Sequence, residues 1–447
     1  MELASFRKLS SDASELDEAA SHLFRGGIVA FPTETVYGLG ANASKQAAIA
    51  SLYDLKQRPV DHPLIIHVAG LSDASSWAKL NPLALKLIGA LWPGALTLIL
   101  PRRPGIPMHA LAKEKTVALR CPSHPVARSL LSKFSALGGK GVAAPSANPY
   151  GRLSPTHADD VETDLRQMMQ AHATRRIRLS DPQLPACWLI EGGESDAGIE
   201  STVLDLSTEQ PRVLRPGVIS REQLESVLGL SIPLVKVSAP DPKEARRASL
   251  GKPKASGTHL SHYAPGKPFY VIDQANQSDQ LALLHEQGLH RLALWGLESC
   301  EFADEGFDVV LNLGALPDGP QAVGQVLYRQ LRVMDQSEAQ ALIMVLPEPL
   351  EVLGDNPAWE ALVDRLERAV YATKHGLLKP QSQQAASAKA MLEATAQSQS
   401  LPIAGAGEFD DFATDAKAPV ASPAMTGDAS ADAMDFDMSF DDFGSNP

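Results

Sequence analysis

Apolar runs and amphipathic segments alternate from about Leu16 to Leu228, which is the pattern of an α/β domain. Short apolar runs bounded by turn residues predict strands at 28–31, 63–68, 96–100, 117–119, 142–144, 188–190, 202–204 and 213–214. Helical periodicity predicts helices at 47–56, 81–91 and 222–228. The strands outnumber those of a strict βαβ alternation, so we expect a mixed, twisted sheet with helices.

Side chains that can cap a helix mark two helix starts. Ser220 with Gln223 forms a capping box ahead of the helix at 222–228. Thr156, followed by Asp159, predicts an N-cap for a further helix.

A proline-rich stretch separates this domain from a second α/β pattern. Six prolines lie between 233 and 268, a composition typical of an extended linker. Beyond it, strands are predicted at 269–272, 292–295, 309–313 and 342–346, and helices at 280–287, 319–334 and 359–371. We therefore expect one domain over 1–230, a linker over 231–267 and a smaller, Rossmann-like α/β domain over 268–376.

The acidic charge of the chain is concentrated at its C-terminus. The formal net charge is −13, and ten acidic residues against one lysine place −9 of it in residues 401–447. Because few apolar residues follow the second domain, we expect 377–447 to be a disordered acidic tail. The Asp, Phe and Met residues of 435–443 have two interpretations, a solvating segment or a short motif that docks onto an unknown protein. The nearly balanced remainder excludes a strongly basic nucleic-acid scaffold.

Composition also restricts the compartment. No apolar stretch is long enough to span a membrane, and residues 1–11 carry no apolar core of a signal peptide. The three cysteines, Cys121, Cys187 and Cys300, are too far apart in sequence for a disulfide framework or a CxxC metal site. These features favour a cytoplasmic protein without a membrane segment.

The usual nucleotide and hydrolase motifs are absent. The sequence contains no GxxxxGK[ST], no GxGxxG after the first strand, no HExxH and no GxSxG. A phosphate-binding function would therefore need a different kind of phosphate-binding segment.

Three segments of the first domain combine polar chemistry with a special backbone. In Phe31–Gly40 two hydroxyls flank a carboxylate after a strand, and two glycines permit close approach; the alternative is a structural turn. Lys56 and Arg58 suit a polyphosphate, although cations at a helix end also satisfy its dipole. His67 lies within an apolar strand and is either a ligand-binding or an ordinary core residue.

Hydroxyls and cations recur at further strand ends, where α/β proteins form ligand sites. They occur in Thr116–Arg120, 144–148, 198–202 and 214–217, and Thr116 and Arg120 should share one face of their strand. Because no nucleophile–base pair is evident, we expect catalysis by positioning and charge neutralisation.

Taken together, these segments resemble the YrdC family in order and spacing. The similar segments are Phe-Pro-Thr-Glu-Thr-Val-Tyr-Gly-Leu-Gly (31–40), Lys-Gln-Arg-Pro (56–59), His-Pro-Leu-Ile-Ile-His (62–67), Pro-Ser-Ala-Asn (145–148), Gly-Ile-Glu-Ser-Thr-Val (198–203) and Leu-Arg-Pro-Gly (214–217). Ser-His-Tyr-Ala-Pro (261–265) and the second domain resemble the long, two-domain form of that family. The resemblance extends over about residues 12–375.

This resemblance implies a YrdC-like fold and a nucleotidyltransferase, threonylcarbamoyl-AMP synthase. Such an enzyme uses L-threonine, bicarbonate and ATP, with Mg²⁺ accompanying the ATP, to make threonylcarbamoyl-adenylate and pyrophosphate. Downstream transferase proteins then modify a tRNA adenosine next to the anticodon.

The resemblance also implies roles for individual residues. Lys56 and Arg58 would be catalytic and contact phosphates; Thr35, His67, Arg120 and Ser201 would hold threonine; Arg58, His62, Thr116, Ser146, Ser154, Arg215, Ser256 and Tyr263 would bind ATP. No residue is expected to serve as a dedicated metal ligand. The chain departs from the family pattern at His62, often Asn, at Ala144, often a hydroxyl, and in the linker at 255–258.

Two other functions compete with this interpretation. A double-stranded RNA-binding module would need diffuse cations, whereas the residues retained here suit a threonine pocket with at most a weak RNA contact. The related carbamoyl-transfer proteins of hydrogenase maturation carry zinc-binding CxxC elements, which the three scattered cysteines exclude.

Overall fold

The computed structural model describes residues 6–112, 114–177, 186–235, 262–274, 277–297 and 306–375. Ser256 and the acidic tail that the sequence predicts from 377 lie outside these ranges.

The first domain is built on a ten-stranded mixed sheet. Its strands are β1 Phe6–Leu9, β2 Ile28–Phe31, β3 Gly38–Asn42, β4 Ile65–His67, β5 Leu96–Pro101, β6 Thr116–Arg120, β7 Val142–Ala143, β8 Cys187–Ile190, β9 Thr202–Asp205 and β10 Arg212–Arg215. They lie in the order β1-β8-β2-β3-β7-β4-β6-β5-β9-β10. The pairs β1/β8, β8/β2, β4/β6 and β5/β9 are parallel and the others antiparallel. The predicted mixed sheet is confirmed.

Helices cover the faces of this sheet, and their starts follow local sequence. They are α1 Ala13–Arg25, α2 Gln46–Lys56, α3 Leu71–Trp77, α4 Pro82–Leu91, α5 Pro125–Ala136, α6 Ala158–Ile177 and α7 Arg221–Leu228. The Ser220–Gln223 capping box of α7 forms as predicted. The prediction of Thr156 as an N-cap is wrong, because α6 begins only at Ala158 and the Thr156 hydroxyl makes no hydrogen bond to the described residues.

The second domain is a smaller α/β unit with a parallel sheet. It contains β11 Phe269–Asp273, α8 Gln277–Glu286, β12 Arg291–Trp295, β13 Asp308–Asn312, α9 Gly319–Gln336, β14 Ala341–Leu346, α10 Leu350–Gly354 and α11 Glu360–Lys374. The strand order is β11-β14-β12-β13, and every pair is parallel. All six residues of β14 are buried, as expected for a parallel strand covered on both faces.

Helix α9 connects the second domain to the first. Arg329 lies 2.8 Å from Asp160 and Arg332 lies 2.7 Å from Asp164, both carboxylates belonging to α6. Val36 of the first domain belongs to the same buried apolar cluster as the inner face of α9. The loop that follows β2 therefore packs directly against the second domain.

Three features of the described ranges bear on function. None of their helices is long and apolar enough to cross a bilayer. Cys121 and Cys187 are both buried. No group of three or more His, Cys, Asp or Glu side chains in these ranges is arranged to hold a metal ion.

Candidate active site

A cavity lies over one face of the first sheet, beneath the segment that leads into the second domain. Six of the residues predicted as ligands line it: His67, Arg120, Ser146, Ser201, Arg215 and Tyr263. They come from β4, β6 and β10, from the turns after β7 and before β9, and from the segment that precedes β11.

The register of the sheet explains why these residues meet. His67 is directly opposite Arg120, and Arg120 is directly opposite Thr97, so the three side chains share one face. The sequence predicts a site at strand ends, and His67, Arg120 and Arg215 are each the last residue of their strand. Because β2 and β7 run opposite to β4 and β6, the loops after β2 and β7 reach the cavity from the other end of these short strands.

Arg120 is buried and only partly bonded. Its Nη2 lies 2.8 Å from Glu34 Oε1, yet neither atom has a hydrogen bond of regular geometry within the described chain, and neither has Arg120 Nε. Glu34 Oε2 accepts a hydrogen bond from the Ser123 amide at 3.1 Å. Burial alone would raise the pKa of Glu34, but the charge of Arg120 outweighs it and the pKa is lowered. The guanidinium therefore stays paired but keeps unused donors.

Next to Arg120, Ser201 lies in a fixed hydroxyl pair. Its Oγ lies 2.8 Å from Thr97 Oγ1. Arg215 Nη2 donates to the Ser201 carbonyl at 2.8 Å and to its hydroxyl at 3.2 Å. Arg215 therefore positions the Ser201 backbone as well as lining the cavity.

His67 is buried on the wall beside Arg120. Burial, reinforced by repulsion from Arg120, lowers the pKa of His67 to about 3. The imidazole is therefore neutral throughout the physiological range.

The loop after β2 is ordered by its own hydroxyls. Thr33 Oγ1 donates to the Val36 carbonyl at 2.6 Å and lies 2.9 Å from Thr35 Oγ1. Thr33 lines the cavity, whereas Thr35, one of the four residues predicted to hold threonine, is fully buried behind it and is not among the lining residues.

One glycine of the same motif, Gly40, is required by packing. A Cβ at Gly40 would lie 2.8 Å from side-chain atoms of Phe31 and Val142, closer than real Cβ atoms come to their neighbours. Gly40 therefore lets β3 lie flat between its neighbouring strands.

Lys56 reaches the turn after β7 from the end of α2. Its Nζ donates to the Ser146 carbonyl at 2.6 Å and to the Asn148 carbonyl. Burial and, secondarily, the charge of Arg58 lower the pKa of Lys56 to about 7. A substrate anion at this position would restore its charge.

Arg58 and His62 form a neighbouring cluster with Tyr150. Arg58 donates to the carbonyls of His62, at 3.3 Å, and Pro63, at 3.1 Å, and lies over the Tyr150 ring at 5.7 Å. The Tyr150 hydroxyl is 2.9 Å from His62 Nδ1.

This cluster is connected to the cavity through an aromatic contact. The Tyr150 ring meets that of His262 edge to face at 6.2 Å, and His262 lines the cavity. Thr116 is farther away, at the opposite end of β6 from Arg120. Strands β4 and β6 are parallel, and Ile65 is opposite Ala118, so Thr116 lies near the start of β4. The segment that leads into β4 contains Arg58 and His62.

Several residues of the site were not predicted from the sequence. Glu200 accepts from the Ser154 hydroxyl at 2.7 Å, from Tyr328 at 3.0 Å and from Arg365 Nε at 2.7 Å. Thus Ser154, predicted to bind ATP, is bonded to Glu200. Glu34 and Glu200 lie in the motifs at 31–40 and 198–203, but the sequence gives no indication of which residues they bond.

Comparisons with known proteins agree with this architecture. A family model described as "Telomere recombination", of the Sua5, YciO and YrdC proteins, matches residues 21–217, and a second, "Threonylcarbamoyl-AMP synthase, C-terminal domain", matches 219–370. The threonylcarbamoyl-AMP synthase of Bacillus subtilis is 34% identical over 366 residues, which cover 81% of this chain and 94% of that protein. The chain belongs to the threonylcarbamoyl-AMP synthase family. The family predicted from the motifs is confirmed, and the chain is an adenylate-forming enzyme of the nucleotidyltransferase type.

Relatives in the archaea extend the likeness to structure. The threonylcarbamoyl-AMP synthase of Pyrococcus abyssi is 32% identical over 358 residues, 78% of this chain and 92% of that protein. The crystal structure of P. abyssi Sua5 complexed with L-threonine matches with a TM-score of 0.67 and 30% identity, covering 82% of this chain and 98% of that one. A double His-to-Ala, Tyr-to-Ala variant of the same protein matches with a TM-score of 0.66 and 28% identity, covering 82% and 96%. Both domains therefore share the family fold.

Proposed function

We propose that this chain joins L-threonine, bicarbonate and ATP into threonylcarbamoyl-adenylate. The threonine amine adds to the carbon of bicarbonate, and loss of water leaves a carbamate. A carbamate oxygen then forms a bond to the α-phosphorus of ATP while the bond to the β-phosphate oxygen breaks. Pyrophosphate takes the electron pair and leaves.

The observation that carries this proposal is the set of unused donors on Arg120. A buried guanidinium whose Nε and Nη2 lack regular hydrogen bonds is costly unless a ligand completes it. A carboxylate matches the planar fork of a guanidinium, so the threonine carboxylate is its natural partner. The Ser201 hydroxyl on the same wall can then receive the amine or hydroxyl end of threonine.

The cations beyond the cavity suit the triphosphate. Lys56 and Arg58 donate to backbone carbonyls, which are neutral acceptors that phosphate oxygens can replace. In that position both side chains offset the charge that develops as pyrophosphate leaves. Ser146, Arg215 and Tyr263 line the cavity together with Arg120.

Magnesium would enter as part of the MgATP substrate. Glu200, which lines the cavity, is paired with Arg365, and the nearby Glu34 is paired with Arg120, so the two carboxylates do not form a cage for a resident ion. We therefore assign this chain no metal ligands.

The chain needs no covalent nucleophile, since the carbamate itself attacks phosphorus. Its residues bind, orient and neutralise. His67, neutral in the physiological range, offers a hydrogen bond without adding charge next to Arg120.

The product is a mixed anhydride that reacts readily with nucleophiles, so a second enzyme must consume it. We assign that role to a transferase that modifies a tRNA adenosine next to the anticodon, in the cytoplasm. A weak RNA contact and a protein partner for the acidic tail complete the proposed interactions.

Identification of the product tests the proposal. The full-length protein is incubated with MgATP, L-threonine and ¹³C-bicarbonate, and the adenylate is analysed by mass spectrometry. We expect a threonylcarbamoyl-adenylate that carries one ¹³C atom. An adenylate without the label, or one that forms without threonine, would contradict the proposed reaction.

A further inference from the structure

The second domain contributes side chains to a buried polar cluster at the edge of the cavity. At its centre is Glu200, the residue before Ser201. Tyr328 of α9 donates to its Oε2 at 3.0 Å, and Nε of Arg365 in α11 donates to the same oxygen at 2.7 Å. The Ser154 hydroxyl of the first domain donates to Oε1 at 2.7 Å.

Arg365 also fixes two other segments around the cavity. Its side chain has no exposed surface, and its Nη2 donates to the Pro216 carbonyl at 3.0 Å, one residue after Arg215. Its guanidinium lies 5.1 Å from the centre of the Tyr263 ring, which stacks on Tyr328 at 5.7 Å. One guanidinium therefore contacts the segments that contain Ser201, Arg215 and Tyr263.

The charge of Glu200 is maintained by these partners. Burial alone would raise its pKa, but the charges of Arg365 and Arg215 outweigh it and the pKa is lowered. A buried carboxylate held by three donors has little freedom to move, so the backbone of the adjacent Ser201 is fixed as well.

One other contact between the domains lies outside the cavity. The ion pair of Arg329 with Asp160 joins α9 to α6; neither residue lines the cavity, and Arg329 is 43% exposed. Domain attachment and site geometry can therefore be separated by mutation.

We propose that Tyr328 and Arg365 are positioning residues for the substrate site, which the second domain completes by holding Glu200 and, through it, Ser201. This inference rests on the proposed function, because it takes threonine as the ligand at Ser201. The two residues act through Glu200 and do not touch the substrate. Separation of the second domain would leave the Ser201 segment without its outer support.

The test compares Tyr328→Phe with a matched control, Arg329→Gln, in the full-length protein. Each removes one polar contact between α9 and the first domain, but only Tyr328→Phe removes a bond to Glu200. Threonine affinity is measured by titration calorimetry, and stability by urea denaturation. We expect Tyr328→Phe to weaken threonine binding about tenfold and Arg329→Gln to stay within about twofold of the wild type.

A second variant strengthens the test. Arg365→Lys keeps the charge but replaces the planar fork, whose Nε and Nη2 donate separately to Glu200 and to the Pro216 carbonyl, with a single nitrogen, so we expect a loss at least as large as that of Tyr328→Phe. Wild-type threonine affinity in Tyr328→Phe, or an equal loss in Arg329→Gln, would overturn the positioning role. Failure of the wild-type protein to form the adenylate would count against the proposed reaction alone, because threonine affinity is measured without turnover.

Discussion

Two buried carboxylate–arginine pairs border the same cavity, and they are bonded in opposite ways. Glu34–Arg120 joins two side chains of the first domain with donors left unused, whereas Glu200–Arg365 joins the two domains with its bonding filled by Ser154, Tyr328 and a carbonyl. Similar residue types thus serve different purposes. Glu34–Arg120, the open pair, has unused donors that can bind a substrate, while Glu200–Arg365, the filled pair, fixes the geometry of the site.

The largest contrast between the pairs is expected in stability. Arg365→Met leaves two carboxylates buried without this partner, and breaking a buried ion pair costs about 3–5 kcal/mol of unfolding free energy. Arg120→Met leaves one carboxylate, Glu34, without its partner but also removes a guanidinium with unmet hydrogen bonds, so we expect about half that loss or less. Urea denaturation of the full-length variants measures both. Equal losses would show that the two pairs do not differ in kind.

Arg58→Ala tests one of the two cations of the proposed phosphate site. Because Arg58 would neutralise charge that develops as pyrophosphate leaves, we expect turnover to fall about 100- to 1,000-fold. The rate of pyrophosphate release at saturating substrates is the measurement. Arg103→Ala, which removes an exposed arginine of the same domain, is the control and should leave turnover unchanged. Near-normal turnover in Arg58→Ala would eliminate the phosphate role.

Arg120→Ala tests whether the open pair, Glu34–Arg120, binds the carboxylate of threonine. Loss of a charged, forked hydrogen bond of about 3 kcal/mol should raise the threonine KM about 100-fold. The ATP KM of the same variant should change by no more than about threefold, since Arg120 is assigned to the carboxylate alone. Equal changes in the two constants would refute that assignment.

The smallest effect concerns the proton on Lys56. Its pKa of about 7 leaves the buried amine mostly neutral at pH 8, whereas bound phosphates would raise the pKa and charge it. MgATP binding at pH 8 should therefore take up close to one proton. Calorimetry in buffers of different ionisation enthalpy measures this uptake, and Lys56→Met should abolish it. Uptake that persists in Lys56→Met would assign the proton to another group.

Local sequence was sufficient for much of the fold. The apolar run of β2, the capping box of α7 and the positions of the strands of the second domain follow from neighbouring residues, and the structure confirms them. These features depend on periodicity and turn chemistry within short segments. The assignment of Arg120 and Ser201 to one site came instead from the resemblance to the YrdC family.

The partners of the two carboxylates could not be predicted in this way. Glu200 and Arg365 are 165 residues apart and meet only when the domains pack. The placement of the site on a face of the sheet depends on strand directions, which the strand pattern leaves open. Similarly, the predicted role of Ser154 gave no indication that its hydroxyl donates to Glu200.

In the proposed reaction the open pair, Glu34–Arg120, binds the carboxylate of threonine while threonine reacts with bicarbonate and ATP. Pyrophosphate release by the full-length protein, with MgATP, bicarbonate and either L-threonine or L-threoninol, tests it most directly. Threoninol has an alcohol in place of the carboxylate and cannot form the forked contact with Arg120. We predict release that requires bicarbonate and occurs with threonine but not with threoninol. Equal release with both compounds, or release without either, would contradict the account.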